Sequence, residues 1–150
     1  MTTAIRSEQI LVRAPLQPAF DYVSDLSRHP EWSGGLKIEA LTQGPIAVGK
    51  EYVSRGEVAV QKNRPNTVRV SVYEPPNRFG FIARDPDFGD VTHEFMFEQR
   101  GQDLSIRRTI TLNLNPFVAF AFHTIVYPLV GRPSMLKSMA ALKAKLENMQ

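Results

Sequence analysis

The sequence contains no cysteine. That excludes a disulfide-stapled scaffold, a thiolate zinc site and a cysteine nucleophile. It has only three histidines, and they are not spaced as helical zinc ligands or flanked by an acidic cluster, so no metal is expected. Charge of one sign is hardly in excess. Eighteen Lys+Arg stand against 15 Asp+Glu, a net charge of +3, which is far from the basic stripe of a nucleic-acid binder. Long apolar runs are also missing. The longest, Phe117 to Val130, is too short to span a bilayer and is interrupted by His123, Thr124 and Pro128. No apolar run follows the polar residues Met1 to Gln9, so no secretory signal is expected. A soluble, cytoplasmic protein without integral membrane association is the expectation. Phosphate-loop, G-x-S-x-G and G-x-G-x-x-G motifs are absent, and no cofactor is expected.

What is present fits one domain over residues 1–150: 43% apolar residues, with 11 prolines and 9 glycines to make turns. Glu8 to Arg13 reads as a first strand with Ile10 and Val12 on one face. Pro15 and Pro18 open a short helix, where a missing N–H costs little. Phe20, Val23 and Leu26 recur every third residue and give that helix one buried side. His29-Pro30 ends it, His29 reading as a surface turn residue, and Glu31-Trp32 enters a second short turn before Gly34-Gly35.

Alternation then predicts strands over Leu36 to Thr42, Lys50 to Val60 with a bulge at Gly56, Thr67 to Tyr73, and Arg78 to Arg84. Asp85-Pro86-Asp87 breaks the pattern. Val68, Val70 and Val72 share one face, which turns Tyr73 outward. Asp90 to Gln99 and Gln102 to Asn113 alternate as a hairpin about Arg100-Gly101. That turn pairs residues whose numbers sum to 201. Phe97 then faces Leu104, Phe95 faces Ile106 and Val91 faces Ile110. On the polar face Glu94 meets Arg107, Thr92 meets Thr109 and Glu98 meets Asp103. His93 falls opposite Arg108, both on the apolar face.

Asn115-Pro116 starts a helix, with Asn as N-cap and Pro at its first position. Phe117 to Tyr127 is apolar nearly all round and is expected to be buried on more than one side. Pro128, Gly131 and Pro133 are expected to kink or interrupt it. Met135, Met139, Leu142, Leu146 and Met149 then form an amphipathic stripe, with Lys137, Lys143 and Lys145 on the solvated side. The order is a strand, two short helices, six strands and a long helix. It predicts an α+β architecture: a curved antiparallel sheet of about seven strands wrapped round the C-terminal helix, enclosing an apolar space.

Two segments carry a family resemblance. Ala14-Pro15-Leu16-Gln17-Pro18-Ala19-Phe20-Asp21-Tyr22-Val23-Ser24-Asp25, followed by His29-Pro30-Glu31-Trp32, resembles the opening of polyketide cyclase/dehydrase-like proteins. These belong to the START-related, SRPBCC helix-grip superfamily. Ser138 to Glu147 is similar to the family's closing helix. The resemblance implies a helix-grip fold with a deep hydrophobic cavity for a lipid, polyketide or other small apolar molecule. It carries over no catalytic set, and Phe20 and Trp32 match the motif as packing residues.

The leading candidates for chemistry are His93 and Arg108. Arg108 would hold a carboxylate, phenolate or enolate and His93 would act as acid or base. Against this stands the plainer reading, in which both sit at a wet cavity mouth or Arg108 pairs with a distant carboxylate. The expected ligand wall is Phe79, Phe81, Val91, His93, Phe95, Ile106, Arg108, Ile110, Phe120 and Tyr127, although an ordinary aromatic core would use the same residues. Tyr52, Tyr73 and Tyr127 each offer a hydroxyl. His123 reads as a satisfied core or cavity-edge histidine. The first functional reading is a binding or transport protein for a small hydrophobic molecule. The alternatives are a cyclase/dehydratase-type enzyme and a protein-interaction module. Peripheral membrane contact through Phe117 to Val130 is a secondary expectation, and both a monomer and a homodimer remain open.

Overall fold

A computed structural model describes residues 1–34, 36–58, 61–85 and 89–149, without the side chains of 36, 57, 58, 61–64 and 85. Gly35, Val60 and the break at Pro86-Asp87 lie outside the described residues. The elements are β1 (Thr2–Val12), α1 (Leu16–Ser24), a 3₁₀ turn (Leu26–Glu31), β2 (Leu36–Ala40), β3 (Glu51–Val58), β4 (Gln61–Glu74), β5 (Arg78–Asp85), β6 (Gly89–Arg100) and β7 (Asp103–Leu114). A continuous helical run follows: α2 (Pro116–Ala121), a π-helical segment (Phe122–Gly131) and α3 (Arg132–Asn148). The seven strands form one antiparallel sheet in the order β1-β7-β6-β5-β4-β3-β2. The fold is the helix-grip fold, with α3 lying against β1 and α1 against β5 and β6.

β1 begins earlier than the alternation of Ile10 and Val12 suggested. Its inward residues are Ala4, Arg6, Glu8, Ile10 and Val12, and the two charged ones broke the apolar signal. The β6–β7 register is also shifted. Arg100 pairs with Asp103 and Phe97 with Ile106, so paired numbers sum to 203. The turn is Gly101-Gln102, not Arg100-Gly101. Gly101 takes φ 61° at the first central position, where hairpin turns require left-handed backbone. The slip is two residues, an even number, so every side chain keeps its expected face while its partner changes. Glu94 meets Thr109 and Thr92 meets Thr111, and Glu98 lies opposite Ser105. Glu94 instead bonds Arg78 at 3.1 Å.

The β4–β5 ladder slips between Val70 and Val72. The extra residue, Ser71, inverts the parity downstream, so Val70 and Tyr73 both face inward. Tyr73 therefore packs on Phe20 at 5.7 Å between ring centroids and does not point outward. The ladder break at Gly56 is present as expected.

Asn115 caps α2, its Oδ1 accepting from the Phe117 N–H at 2.8 Å. Pro128 does not interrupt the helix. The run widens to π geometry through Phe122–Gly131, which leaves room for a ring that would clash in an α turn. Pro133 lies at the join of the π segment and α3, where the change of helical pitch accommodates its ring. Gly131 suits a close approach, because a Cβ there would lie 3.1 Å from the Tyr127 ring, which would have to shift by a few tenths of an ångström. The α3 stripe is buried at Met135, Met139, Leu142 and Leu146 but not at Met149, which is half exposed. Phe117 to Tyr127 departs most from expectation. Phe117 is 81% and Phe120 69% exposed, and only Ala119, Phe122 and Tyr127 are buried. The segment covers the sheet with one side and presents the other to solvent. Among the described residues no helix is long and apolar enough to cross a membrane.

Candidate functional site

The inner face of the sheet is built in rows. One row runs Tyr73–Phe79–Phe95–Arg108–Glu8, and the next runs Val70–Phe81–His93–Ile110–Arg6. Below them Phe97, Ile106 and Ile10 lead toward Leu104 and Val12. That lower end is solid: Phe20, Phe79, Phe95, Ile106, Met139 and Leu142 have no accessible surface. Phe79, Phe95 and Ile106 are thus packed core, not the cavity wall expected of them. The other end is different. Ala83, Val91, His93, Arg108 and Ile110 point inward yet remain partly accessible. This end of the inner face is less tightly covered than the lower end. Phe81 and Tyr127 are buried at its margin, and Phe120 has left the interior altogether.

His93 and Arg108 come together, though diagonally and not opposite one another. Arg108 Nη2 lies 3.4 Å from His93 Nδ1. A guanidinium can only donate, so Nδ1 accepts and the imidazole is neutral with its proton on Nε2. The His93 ring stacks on Phe81 at 4.7 Å and 13°. Burial first, and then Arg108 and His29, hold the His93 pKa well below the ordinary histidine range.

His29 joins this cluster and is not a surface turn residue. It is 4% exposed, and its Nε2 donates to the Val23 carbonyl at 2.7 Å. Its ring lies 4.6 Å from Trp32 and 5.7 Å from Phe81. Burial, opposed by the Val23 bond and aided by Arg108, lowers its pKa to about 4. The sequence held a signal for it. Phe20, Val23, Leu26, His29 and Trp32 continue one three-residue spacing, and all five are buried. A 3₁₀ turn repeats every three residues, so the apolar phase of α1 carries through.

Arg108 is the centre of the site. Its Cζ stands 5.5 Å from the Phe95 ring centroid and 5.9 Å from that of Trp32. Burial lowers its pKa to about 10, so it stays a cation at neutral pH. Among the described residues no carboxylate is within ion-pair distance of it. The register places Glu8 beside it on β1, but that carboxylate is occupied. Glu8 Oε1 accepts from Tyr127 OH at 3.0 Å and from Arg132 Nε at 2.8 Å. Arg6 bonds His123 Nδ1 at 3.0 Å and its carbonyl at 3.2 Å, which leaves His123 satisfied, as expected. These bonds clasp β1 to the π segment. Two enclosed donors of the site have no partner, Arg108 Nε and Trp32 Nε1. Leaving an enclosed donor unmet costs about 1–3 kcal/mol. Among the described residues the chain supplies neither donor with an acceptor.

Trp32 also forms one wall of an open groove of about 600 Å³ between the 3₁₀ turn and α3. Glu31, Ser134, Lys137, Ser138 and Ala141 are among its other lining residues. Within the fold the indole ring lies between His29, Phe95 and Arg108. Tyr52 is buried elsewhere, beneath Lys50, whose Nζ lies 5.6 Å from its ring centroid. Among the described residues no group of three or more His, Asp or Glu is placed to hold a metal.

No known protein-family profile and no curated protein matches the chain. Solved structures do. The di-domain ARO/CYC StfQ from the steffimycin biosynthetic pathway superposes over 98% of this chain with TM-score 0.76 and 10% identity. The chain spans about half of that protein, 52% of its length. A norcoclaurine synthase point mutant from Thalictrum, in complex with a transition-state analogue, gives TM-score 0.73 at 14% identity, over 99% of this chain and 96% of that one. A START superfamily protein from Mycobacterium smegmatis gives 0.71 at 14%, over 97% and 99%. At such identities the likeness is one of fold. It is the fold implied by the two ends of the sequence, that of the START-related, polyketide cyclase-like helix-grip proteins.

Proposed function

We propose that the chain acts as one domain that binds a small apolar molecule carrying an anionic or strongly polarised oxygen. The oxygen sits on Arg108 and Trp32, and the apolar body lies against Val91, Phe81 and Ile110. One observation carries the reading. A guanidinium without a carboxylate and an indole N–H without an acceptor adjoin the accessible part of an otherwise packed interior. The solved structures of the same fold support it by their names, which include cyclases and a synthase bound to a small molecule.

Trp32 is the only tryptophan, so its fluorescence reads the site directly. Titration with naphthoic acid is expected to quench it saturably, and the neutral methyl ester to bind roughly tenfold more weakly or worse. Arg108→Met is expected to erase that difference. Equal binding of acid and ester to the native chain contradicts the reading.

The enzyme alternative rests on His93, a neutral imidazole beside the cation. Its lowered pKa makes it a weak proton acceptor at neutral pH, which favours binding over proton transfer. For any substrate found, His93→Phe separates the two. Lost turnover with affinity kept within about twofold supports the enzyme, and unchanged turnover removes it.

A further inference from the structure

The outer side of α2 and the π segment is an apolar surface with no partner in the fold. Phe117, Phe120, Leu129 and Val130 are 81%, 69%, 71% and 66% exposed, and Ile125 is 56% exposed. A patch of large apolar side chains this dense marks a contact surface. Its charge setting narrows the partner. No Asp or Glu occurs between Asp103 and Glu147, whereas Arg132, Lys137, Lys143 and Lys145 follow the patch and are exposed. A second copy of the chain packed on this face would add a second set of exposed lysines, and Glu8, which already bonds Arg132, is spent. An anionic lipid surface meets both features at once: it buries isolated aromatic knobs in the acyl boundary and places phosphates beside the lysines and arginine.

We propose that this face docks reversibly on an anionic bilayer, with Phe117, Phe120 and Leu129 inserted and Arg132 and Lys137 at the head groups. The same segment is clasped to β1 through His123 on Arg6 and Tyr127 on Glu8, so docking would bring the cover of this end of the sheet to the lipid. The inference stands on surface residues and does not depend on the identity of the interior ligand.

The test is co-sedimentation of the native chain with phosphatidylcholine vesicles, without and with about 30% phosphatidylserine. The expected result is binding to the anionic vesicles that weakens as salt is raised. Phe117→Ser/Phe120→Ser, and independently Leu129→Ser, are expected to weaken it roughly tenfold or more without changing the thermal midpoint. Lys137→Gln/Lys143→Gln is expected to weaken it and reduce its salt dependence. No association overturns the proposal, as does association indifferent to both apolar variants. A dimer that ignores vesicles and is dissolved by Phe117→Ser/Phe120→Ser also overturns it, assigning the face to a second copy.

Discussion

A guanidinium largely withdrawn from water without a counter-charge is costly, because most of its water shell is lost and nothing ionic replaces it. Arg108 is in that position, and its enclosed Nε shows how little of the cost the chain recovers. Arg108→Met keeps the length of the stem and removes the charge. The variant is expected to match the native stability in urea or exceed it by about 1 kcal/mol. A loss of several kcal/mol would mean that Arg108 serves the fold. His29 gives a pH signature. Its folded pKa, about 4, lies below the usual 6.5, so between those values the unfolded chain takes up a proton that the folded chain refuses. Stability is therefore complete above about pH 6.5 and falls as the pH drops toward 4, by on the order of 3 kcal/mol for this residue. His93 is shifted in the same direction and adds to the loss. Urea unfolding across that range is expected to show the slope, and His29→Phe, which keeps a ring beside Trp32, to flatten part of it. The His93–Arg108 pair was legible in the sequence because strand parity alone brings both residues to one face. His29 was hidden by the proline after it, which reads as a chain break although 3₁₀ geometry accommodates it.

Elements were more legible than their registers. Alternation placed the later strands well, since an amphipathic strand announces its faces. The hairpin register differs by two residues from the one alternation predicts, because Arg100-Gly101 and Gly101-Gln102 are both credible two-residue turns. Parity survives an even slip, so the apolar face came out correctly while each named pair was wrong. Ser71 shows the opposite sensitivity. A bulge of one residue reverses every later face, and nothing in Val68 to Tyr73 marks it. Deleting Ser71 leaves Val70 and Tyr73 two residues apart in a regular ladder, so Tyr73 is expected to stay against Phe20 and stability to change by no more than about 1 kcal/mol, read by urea unfolding. A loss of several kcal/mol would mean that the bulge itself serves the fold. Asn115→Ala removes the cap bond to Phe117 and is expected to cost about 1 kcal/mol in the same measurement. The exposed side of α2 was missed for a related reason. An apolar residue reads as buried whether it packs on the sheet or awaits a partner.

Across the whole molecule, the order of strands and helices was enough to give the helix-grip architecture, because a sheet with one apolar face must be covered and α3 is the cover available. The extent of the cavity was not legible. Whether Phe79, Phe95 and Ile106 line a space or fill it depends on how far the sheet closes on α3, a distance that no single segment encodes. The structure fills one end with these rings and leaves the other accessible around His93 and Arg108. The account thus makes the interior polar spot the centre of function and the packed end its support. Native mass spectrometry of the purified chain, followed by denaturing extraction, tests this most directly. The account predicts an apolar acid bound to the native chain, or naphthoic acid retained one to one when supplied. It predicts neither for Arg108→Met, and no change for Phe117→Ser/Phe120→Ser. A native chain that stays bare with naphthoic acid present, or an adduct that Arg108→Met retains in full, would contradict it.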